Sequence, residues 1–298
     1  MSRPEPPQLV PVTGPDELPP LRDIIRELSL SAKKSLGQNF ILDLNLTRRI
    51  ARCGGDLTHY NVVEIGPGPG GLTRALLSEG AKHVVCIERD ERCLPALAQI
   101  SSAWPNRMTV QLGDALEVDW RAVSSGLDGP CLIAANLPYG IATRLLIDWL
   151  ESDPWPPWFD RMVLMFQREV ADRIVAAPGS KAYGRLAVIS QWRCHVHRAF
   201  NLKPEAFTPP PKVASAVVVF EPRQTPEPRC SVGALGQVTA AAFGQRRKML
   251  RTSLKQLSAM PELLIEKAGL DPQARAQDLD VAAFARLAVA WEGSAVET

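Results

Sequence analysis

The tetrapeptide Asn136-Leu137-Pro138-Tyr139 holds the residues best suited to chemistry on a nitrogen atom. A carboxamide, a proline and an aromatic ring follow directly on the apolar run Cys131-Leu132-Ile133-Ala134-Ala135, the pattern of a buried strand opening into a flat-walled pocket. Asn136 offers an amide oxygen. Pro138 stiffens the turn, and the carbonyl of Leu137 is freed from sheet pairing. Two acceptors beside one stacking face suit the exocyclic amine of a nucleobase. On these four residues alone, an ordinary strand-ending turn is the alternative, since Asn and Pro are common turn residues.

The elements upstream bear on that choice. Asn61-Val62-Val63-Glu64-Ile65 reads as a buried strand, and Gly66-Pro67-Gly68-Pro69-Gly70-Gly71 separates it from the helical pattern Leu72, Ala75, Leu76. A glycine turn between strand and helix lets the backbone approach a ligand closely. The next apolar run, His83 to Ile87, ends at Glu88, which stands about 20 positions past Gly66, where an acid meets ribose hydroxyls in a dinucleotide-type βαβ unit. The same letters fit the Gly-x-Gly-x-x-Gly form of NAD enzymes, so the loop by itself leaves the cofactor open. Met108 to Leu112 reads as a third strand, and Asp114 follows it as an acceptor for an adenine amino group or as a helix cap. Ligands of open α/β sheets bind at the carboxyl ends of strands. Gly66, Glu88, Asp114 and Asn136 all fall at such ends.

Composition sets outer bounds. A chain of 298 residues with 46% hydrophobic content can bury one large core and a smaller one. Lys and Arg number 34 against 32 Asp and Glu, so affinity for nucleic acid must come from local clustering. The six cysteines form no Cys-x-x-Cys pair, which fits free thiols in a reducing cytoplasm better than a disulfide framework or a zinc site. His195 and His197 alternate along one apparent strand with no third ligand in view, and no metal is expected. No apolar stretch approaches membrane-spanning length, and the start lacks the apolar segment of a signal peptide. Residues 1–19 read as a Pro-rich disordered lead.

Taken together and in this order, the segments resemble the S-adenosylmethionine-dependent ribosomal RNA adenine dimethyltransferases, in particular the bacterial small-subunit type. Lys34-Ser35-Leu36-Gly37-Gln38-Asn39-Phe40 is similar to the family's opening motif, Glu64 to Gly71 to its glycine loop, Glu88 to its ribose acid and Asp114 to its adenine acid. Asn136 to Tyr139 resembles its catalytic tetrapeptide. Phe207-Thr208-Pro209-Pro210-Pro211-Lys212-Val213 resembles its second target-base loop, and Phe243-Gly244-Gln245-Arg246-Arg247-Lys248 the start of its C-terminal helical region. The resemblance runs from about Leu21 to the end.

The resemblance implies a Rossmann-like α/β fold, a seven-stranded methyltransferase sheet followed by a small all-helical domain. It implies a methyltransferase domain over residues 20–222 and an RNA-contacting helical domain over 223–298. Strands are expected at Met162 to Phe166, Leu186 to Ser190 and Ala216 to Phe220, with Glu221 to Pro228 as a linker. Cofactor contacts are implied for Asn39, Ile41, Gly66, Gly68, Glu88, Asp114 and Asn136; Ile41 stands where the family usually has Leu, a change that a backbone contact tolerates. The implied reaction is N6,N6-dimethylation of two adjacent adenosines in the 3′-terminal hairpin of small-subunit ribosomal RNA, during ribosome biogenesis, by a cytoplasmic monomer.

In that reaction Asn136 and the Leu137 carbonyl accept both N–H bonds of the adenine amine, which returns electron density to a weakly nucleophilic nitrogen. The base leaves its stack, with Tyr139 expected on one face and Phe207 on the other. Core packing is the alternative for Tyr139, and loop anchoring for Phe207. Arg247, Arg251 and Lys255 recur every fourth position with Lys248 adjoining, as one helix face opposite Phe243, Leu250, Leu254 and Leu257; phosphate contact and a merely solvated face are both open. A large-subunit adenine methyltransferase of the antibiotic-resistance type, a non-catalytic RNA-binding assembly factor and, more distantly, an NAD oxidoreductase are the competing readings.

Overall fold

The computed structural model describes residues 9–33 and 37–296; Lys34, Ser35 and Leu36 of the opening motif lie outside them. Nine strands are described: β1 (Phe40–Ile41), β2 (Asn61–Ile65), β3 (His83–Glu88), β4 (Met108–Leu112), β5 (Cys131–Ala135), β6 (Arg161–Gln167), β7 (Cys194–Leu202), β8 (Phe207–Thr208) and β9 (Ser215–Pro222). The helices are α1 (Leu21–Glu27), α2 (Leu44–Arg52), α3 (Gly71–Ser78), α4 (Leu94–Ala103), α5 (Trp120–Ser125), α6 (Tyr139–Leu150), α7 (Arg168–Ile174), α8 (Arg185–Arg193), α9 (Val232–Gly244), α10 (Leu250–Ser253), α11 (Pro261–Lys267) and α12 (Val281–Val296).

Seven strands form one sheet in the order β4-β3-β2-β5-β6-β9-β7. The strands from β2 to β6 are parallel, and β9 runs antiparallel to β6. β2 and β5 are fully buried, and their near-continuous apolar sequences are what a sheet covered on both faces demands. The chain winds outward from β2 through β3 to β4, then resumes on the other side of β2 with β5. That reversal between β2 and β5 is the switch point where open sheets bind ligands. A separate two-stranded ribbon pairs β1 with β8, setting Phe40 against Thr208 and Ile41 against Phe207.

Leu186 to Ser190, expected as a strand, lies in α8 instead. Ala187, Val188 and Trp192 are buried there in a helical core, and the sixth strand of the sheet in chain order is β7, at its edge, which carries His195 and His197. A short apolar run does not distinguish a strand from a buried helix, so periodicity could not decide.

The chain forms two compact units that are not consecutive in sequence. The first runs through Leu146 and adds Trp158–Arg168 and Arg198–Phe220; the second combines Ile147–Pro157, Glu169–His197 and the chain from Glu221 onward. A single cut after residue 222 misses the two earlier segments of the second unit. Within that unit α12 packs on α9, α8 and α11, and Tyr183, Phe243 and Phe284 form a ring cluster with centroids 5.9 and 5.2 Å apart. The expected linker is pinned there: Trp155 Nε1 donates to Arg223 O at 2.7 Å, and Trp192 Nε1 to Pro228 O at 3.1 Å.

Residues 9–19, expected within a disordered lead, are placed against the first unit. Gln99 Nε2 donates to Val10 O at 2.8 Å and Arg74 Nη1 to Pro19 O at 2.7 Å, while Leu9, Val12 and Leu18 pack against the core, so buried polar side chains and apolar contacts together hold this segment. Residues 1–8 lie outside the described ones.

Candidate active site

A cavity of about 350 Å³ opens at the carboxyl ends of β2, β3, β4 and β5, within the range of small-molecule sites. Gly66, Gly68, Glu88, Asp114 and all of Asn136 to Tyr139 line it, as do Asn39 and Ile41. Ten of the expected site positions thus meet in the first unit, although they are spread from residue 39 to residue 139.

The glycines of the loop do different jobs. A Cβ on Gly70 would come within 2.1 Å of Ile100 Cδ1, so Gly70 is small for packing against α4. Gly66 adopts φ +66, which disfavours any side chain, yet a Cβ there would meet nothing within 4 Å. The space beside Gly66 is open to the cavity.

Glu88 braces that loop. Its Oε2 accepts from Gly68 N at 2.8 Å and its Oε1 from Asp90 N at 2.7 Å. Burial pushes the Glu88 carboxyl above its ordinary range, opposed by the backbone N–H donors of Asp90, Gly68 and Arg89. Each oxygen keeps lone-pair capacity for a hydroxyl. Asp114 is held by Arg89 at 2.8 Å through Oδ2 and accepts from Leu116 N at 3.1 Å through Oδ1. It therefore caps its own turn while also lining the cavity.

Over the loop lies the segment that ends in Asn39 and Ile41, fastened by a buried acid. Asp90 accepts from Gln38 Nε2 at 3.0 Å and from Arg92 Nη2 at 2.5 Å, while Gln38 Oε1 accepts from Lys33 N at 2.9 Å. Burial alone would raise Asp90, but hydrogen bonds from Arg92 and Gln38 prevail and take it down to about 2. Beneath the loop sits Glu64, 1% exposed, which burial pushes up to about 8 against a hydrogen bond donated by the Cys86 thiol. Burial thus favours the neutral form of Glu64.

At the other end of the cavity, Asn136 Nδ2 donates to Asn39 O at 3.0 Å. Only the amide nitrogen can donate to a carbonyl, so this bond fixes which way the carboxamide points and leaves Oδ1 as an acceptor. Among the described residues no donor is seated on Asn136 Oδ1 or on the Leu137 carbonyl, and both residues line the cavity. Tyr139 lines it too, with its hydroxyl 2.6 Å from Ser215 Oγ.

A family model described as ribosomal RNA adenine dimethylase matches residues 29–291, a range that contains all of these strand ends. The chain belongs to the ribosomal RNA adenine dimethylase family. Relatives include proteins named Ribosomal RNA small subunit methyltransferase A from Xanthobacter autotrophicus, 60% identical over 92% of this chain and 94% of its own length, and from Mesorhizobium japonicum, 60% identical over 91% and 98%. Among solved structures, a dimethyladenosine transferase from Plasmodium falciparum matches with TM-score 0.71 at 24% identity, covering 85% of this chain and 97% of its own. The 23S rRNA methyltransferase ErmE matches with TM-score 0.66 at 23% identity, covering 85% and 100%. At these identities the two structures show the shared fold.

One expected member of this dimethylase site is elsewhere. Phe207 is 3% exposed, packs in the core of the first unit opposite Ile41, and does not line the cavity. Its apolar ring is worth more in that core than at a wet rim, so it anchors the loop at Phe207–Val213 and is not a stacking wall. The C-terminal basic residues also differ from a single helix face. α9 ends at Gly244, Met249 takes extended angles and pairs with Arg275, and a new short helix begins at Leu250. Arg247, Lys248, Arg251 and Lys255 are nonetheless all exposed, and Leu250 and Leu254 are buried. Arg246 is spent on structure, donating to Tyr183 O at 2.7 Å and Ser180 O at 3.0 Å.

Sequence reasoning gave no role to Glu64, Arg89, Asp90 or Ser215. Glu64 left a signal, an acid inside an otherwise apolar strand. The others are visible only through partners distant in the chain.

Proposed function

We propose that the cavity holds S-adenosylmethionine against Gly66, Gly68, Glu88 and Asp114, with Asn39 and Ile41 closing over it, and that Asn136 to Tyr139 present an adenine of small-subunit ribosomal RNA for dimethylation at N6. The carrying observation is a pair of acceptors with no donor among the described residues, Asn136 Oδ1 and the Leu137 carbonyl, on the same cavity as the open space at Gly66. When bound, S-adenosylmethionine supplies an electrophilic methyl group. Ribose hydroxyls suit Glu88, whose oxygens are buried acceptors, and an amino group suits Asp114.

In the first transfer Asn136 and Leu137 take both N–H bonds of the adenine amine, so its lone pair points away from them and into the cavity; in the second, the one remaining N–H is accepted. Their dipoles are already oriented by the Asn39 carbonyl and the Pro138 turn, which favours the charge shift of methyl transfer without reorganisation. No strong base is required, because the methylated nitrogen is acidic and releases its proton to water. Tyr139 stacks on the extruded base, an interaction of about 1–3 kcal/mol.

The acceptor is small-subunit RNA in its precursor particle, supported by the relatives' name. Exposed Arg247, Lys248, Arg251 and Lys255 hold its phosphates. The chain acts as a cytoplasmic monomer; no helix among the described residues is long and apolar enough to cross a membrane. The test is mass analysis of small-subunit RNA from cells lacking the protein, before and after incubation with the full chain and S-adenosylmethionine. Two dimethylated adenosines in the 3′ hairpin are expected. Methylation confined to large-subunit RNA, or none at all, overturns the proposal.

A further inference from the structure

Tyr139 enters the cavity from the first residue of α6, directly after Pro138, so its backbone end is fixed by the catalytic turn. Its far end is fixed by a residue outside every motif discussed so far. Ser215 opens β9, is 0% exposed, and sits in register with Gln167 at the end of β6. Its Oγ lies 2.6 Å from the Tyr139 hydroxyl, and among the described residues no other partner of this side chain competes. A ring tethered at both ends has little freedom to rock, and its ordering is complete before a ligand arrives.

We infer that Ser215 is a positioning residue for methyl transfer: its hydroxyl holds the Tyr139 ring as the wall against which the acceptor base stacks beside Asn136 and Leu137. This rests on the reading of the cavity given above and extends it to a residue that touches neither cofactor nor base. Phe207 is buried in the core, so the base has no second aromatic wall from that loop, and the orientation of Tyr139 matters the more. Burial raises the Tyr139 hydroxyl above the ordinary tyrosine range, so it stays protonated at neutral pH and its bond to Ser215 persists.

The test is a double-mutant cycle on the full chain, with unmethylated small ribosomal subunits as acceptor and S-adenosylhomocysteine affinity measured separately by calorimetry. Ser215→Ala removes one oxygen from a buried position; Tyr139→Phe removes the other end of the same bond and leaves β9 intact. Each is expected to lower kcat/KM for subunits about tenfold, equivalent to about 1.4 kcal/mol, with cofactor-product affinity within about twofold of wild type. The double variant is expected to be no worse than the poorer single variant. Multiplying losses in the double variant, wild-type turnover by Tyr139→Phe, or a loss located in cofactor affinity would overturn the inference. If Ser215→Ala does not fold, Tyr139→Phe alone decides by the same criterion. Wild-type protein that methylates no adenine sinks the proposed function instead, so the two failures are separable.

Discussion

The two ends of the cavity are built on different principles. At the end proposed for the cofactor, Glu88 is held by its own neighbourhood, accepting from Asp90 two residues on and from Gly68 twenty residues back, in the loop that follows β2. At the acceptor end, Asn136 is oriented by a carbonyl 97 residues away and Tyr139 by a hydroxyl 76 residues away. The cofactor end is thus a property of a βαβ unit and the acceptor end a property of the whole first unit. A βαβ nucleotide cradle can serve many chemistries; the long-range contacts make this one a candidate for acting on an amine.

Breaking the acceptor end should separate it from the cofactor end most sharply. Asn136→Ala is expected to lower kcat by about a thousandfold or more, the scale of losing a preorganised polar group at the reacting atom, while calorimetry still detects cofactor binding. Near-normal turnover would mean that the amide is a turn residue after all. The reciprocal cut is Gly66→Ala, which imposes left-handed strain of about 1–2 kcal/mol and fills the cradle. Cofactor affinity should fall at least about tenfold, and tight binding by this variant would show that the open space at Gly66 is not where the ligand lies.

Glu64 sharpens the comparison from below the glycine loop. Its folded value of about 8 against an ordinary 4.5 means that the native protein retains a proton the unfolded chain has lost. Its contribution to stability is therefore full below about pH 4.5 and declines as pH rises towards 8, by a few kcal/mol in order of magnitude. Glu64→Gln lacks this decline, so its Tm relative to wild type should climb between pH 5 and pH 8. A constant difference would place an ionised Glu64 in the native state. The smallest effect is expected in the second unit, at neither end of the cavity. Arg251→Glu should weaken RNA binding and reduce the slope of log K against log salt by about one contact's worth, roughly 0.7–0.9; an unchanged slope favours a solvated face.

The legibility of the sequence follows the same division. The strands from β2 to β6 were readable because each is an apolar run bounded by glycine or polar residues, and their order carried the cofactor positions with it. Leu186 to Ser190 misled because a buried helix and a buried strand share the same short apolar signature, and the outcome depended on the helical core around Trp192. Phe207 misled because a motif position says that a residue is needed, not which side of a loop its ring occupies. Gln38 belonged to a recognised motif, yet its clasp on Asp90 depends on two loops folding against each other.

By itself the sequence determined the family, the parallel sheet and the series of strand ends, because local periodicity and glycine spacing act over a few residues and survive in any fold that contains them. The tertiary structure alone decided which acceptors have no donor among the described residues, which acid burial pushes towards its neutral form and which aromatic faces the cavity. Each of those depends on exclusion of water and on partners tens of residues away, and neither is encoded in the spacing of a motif.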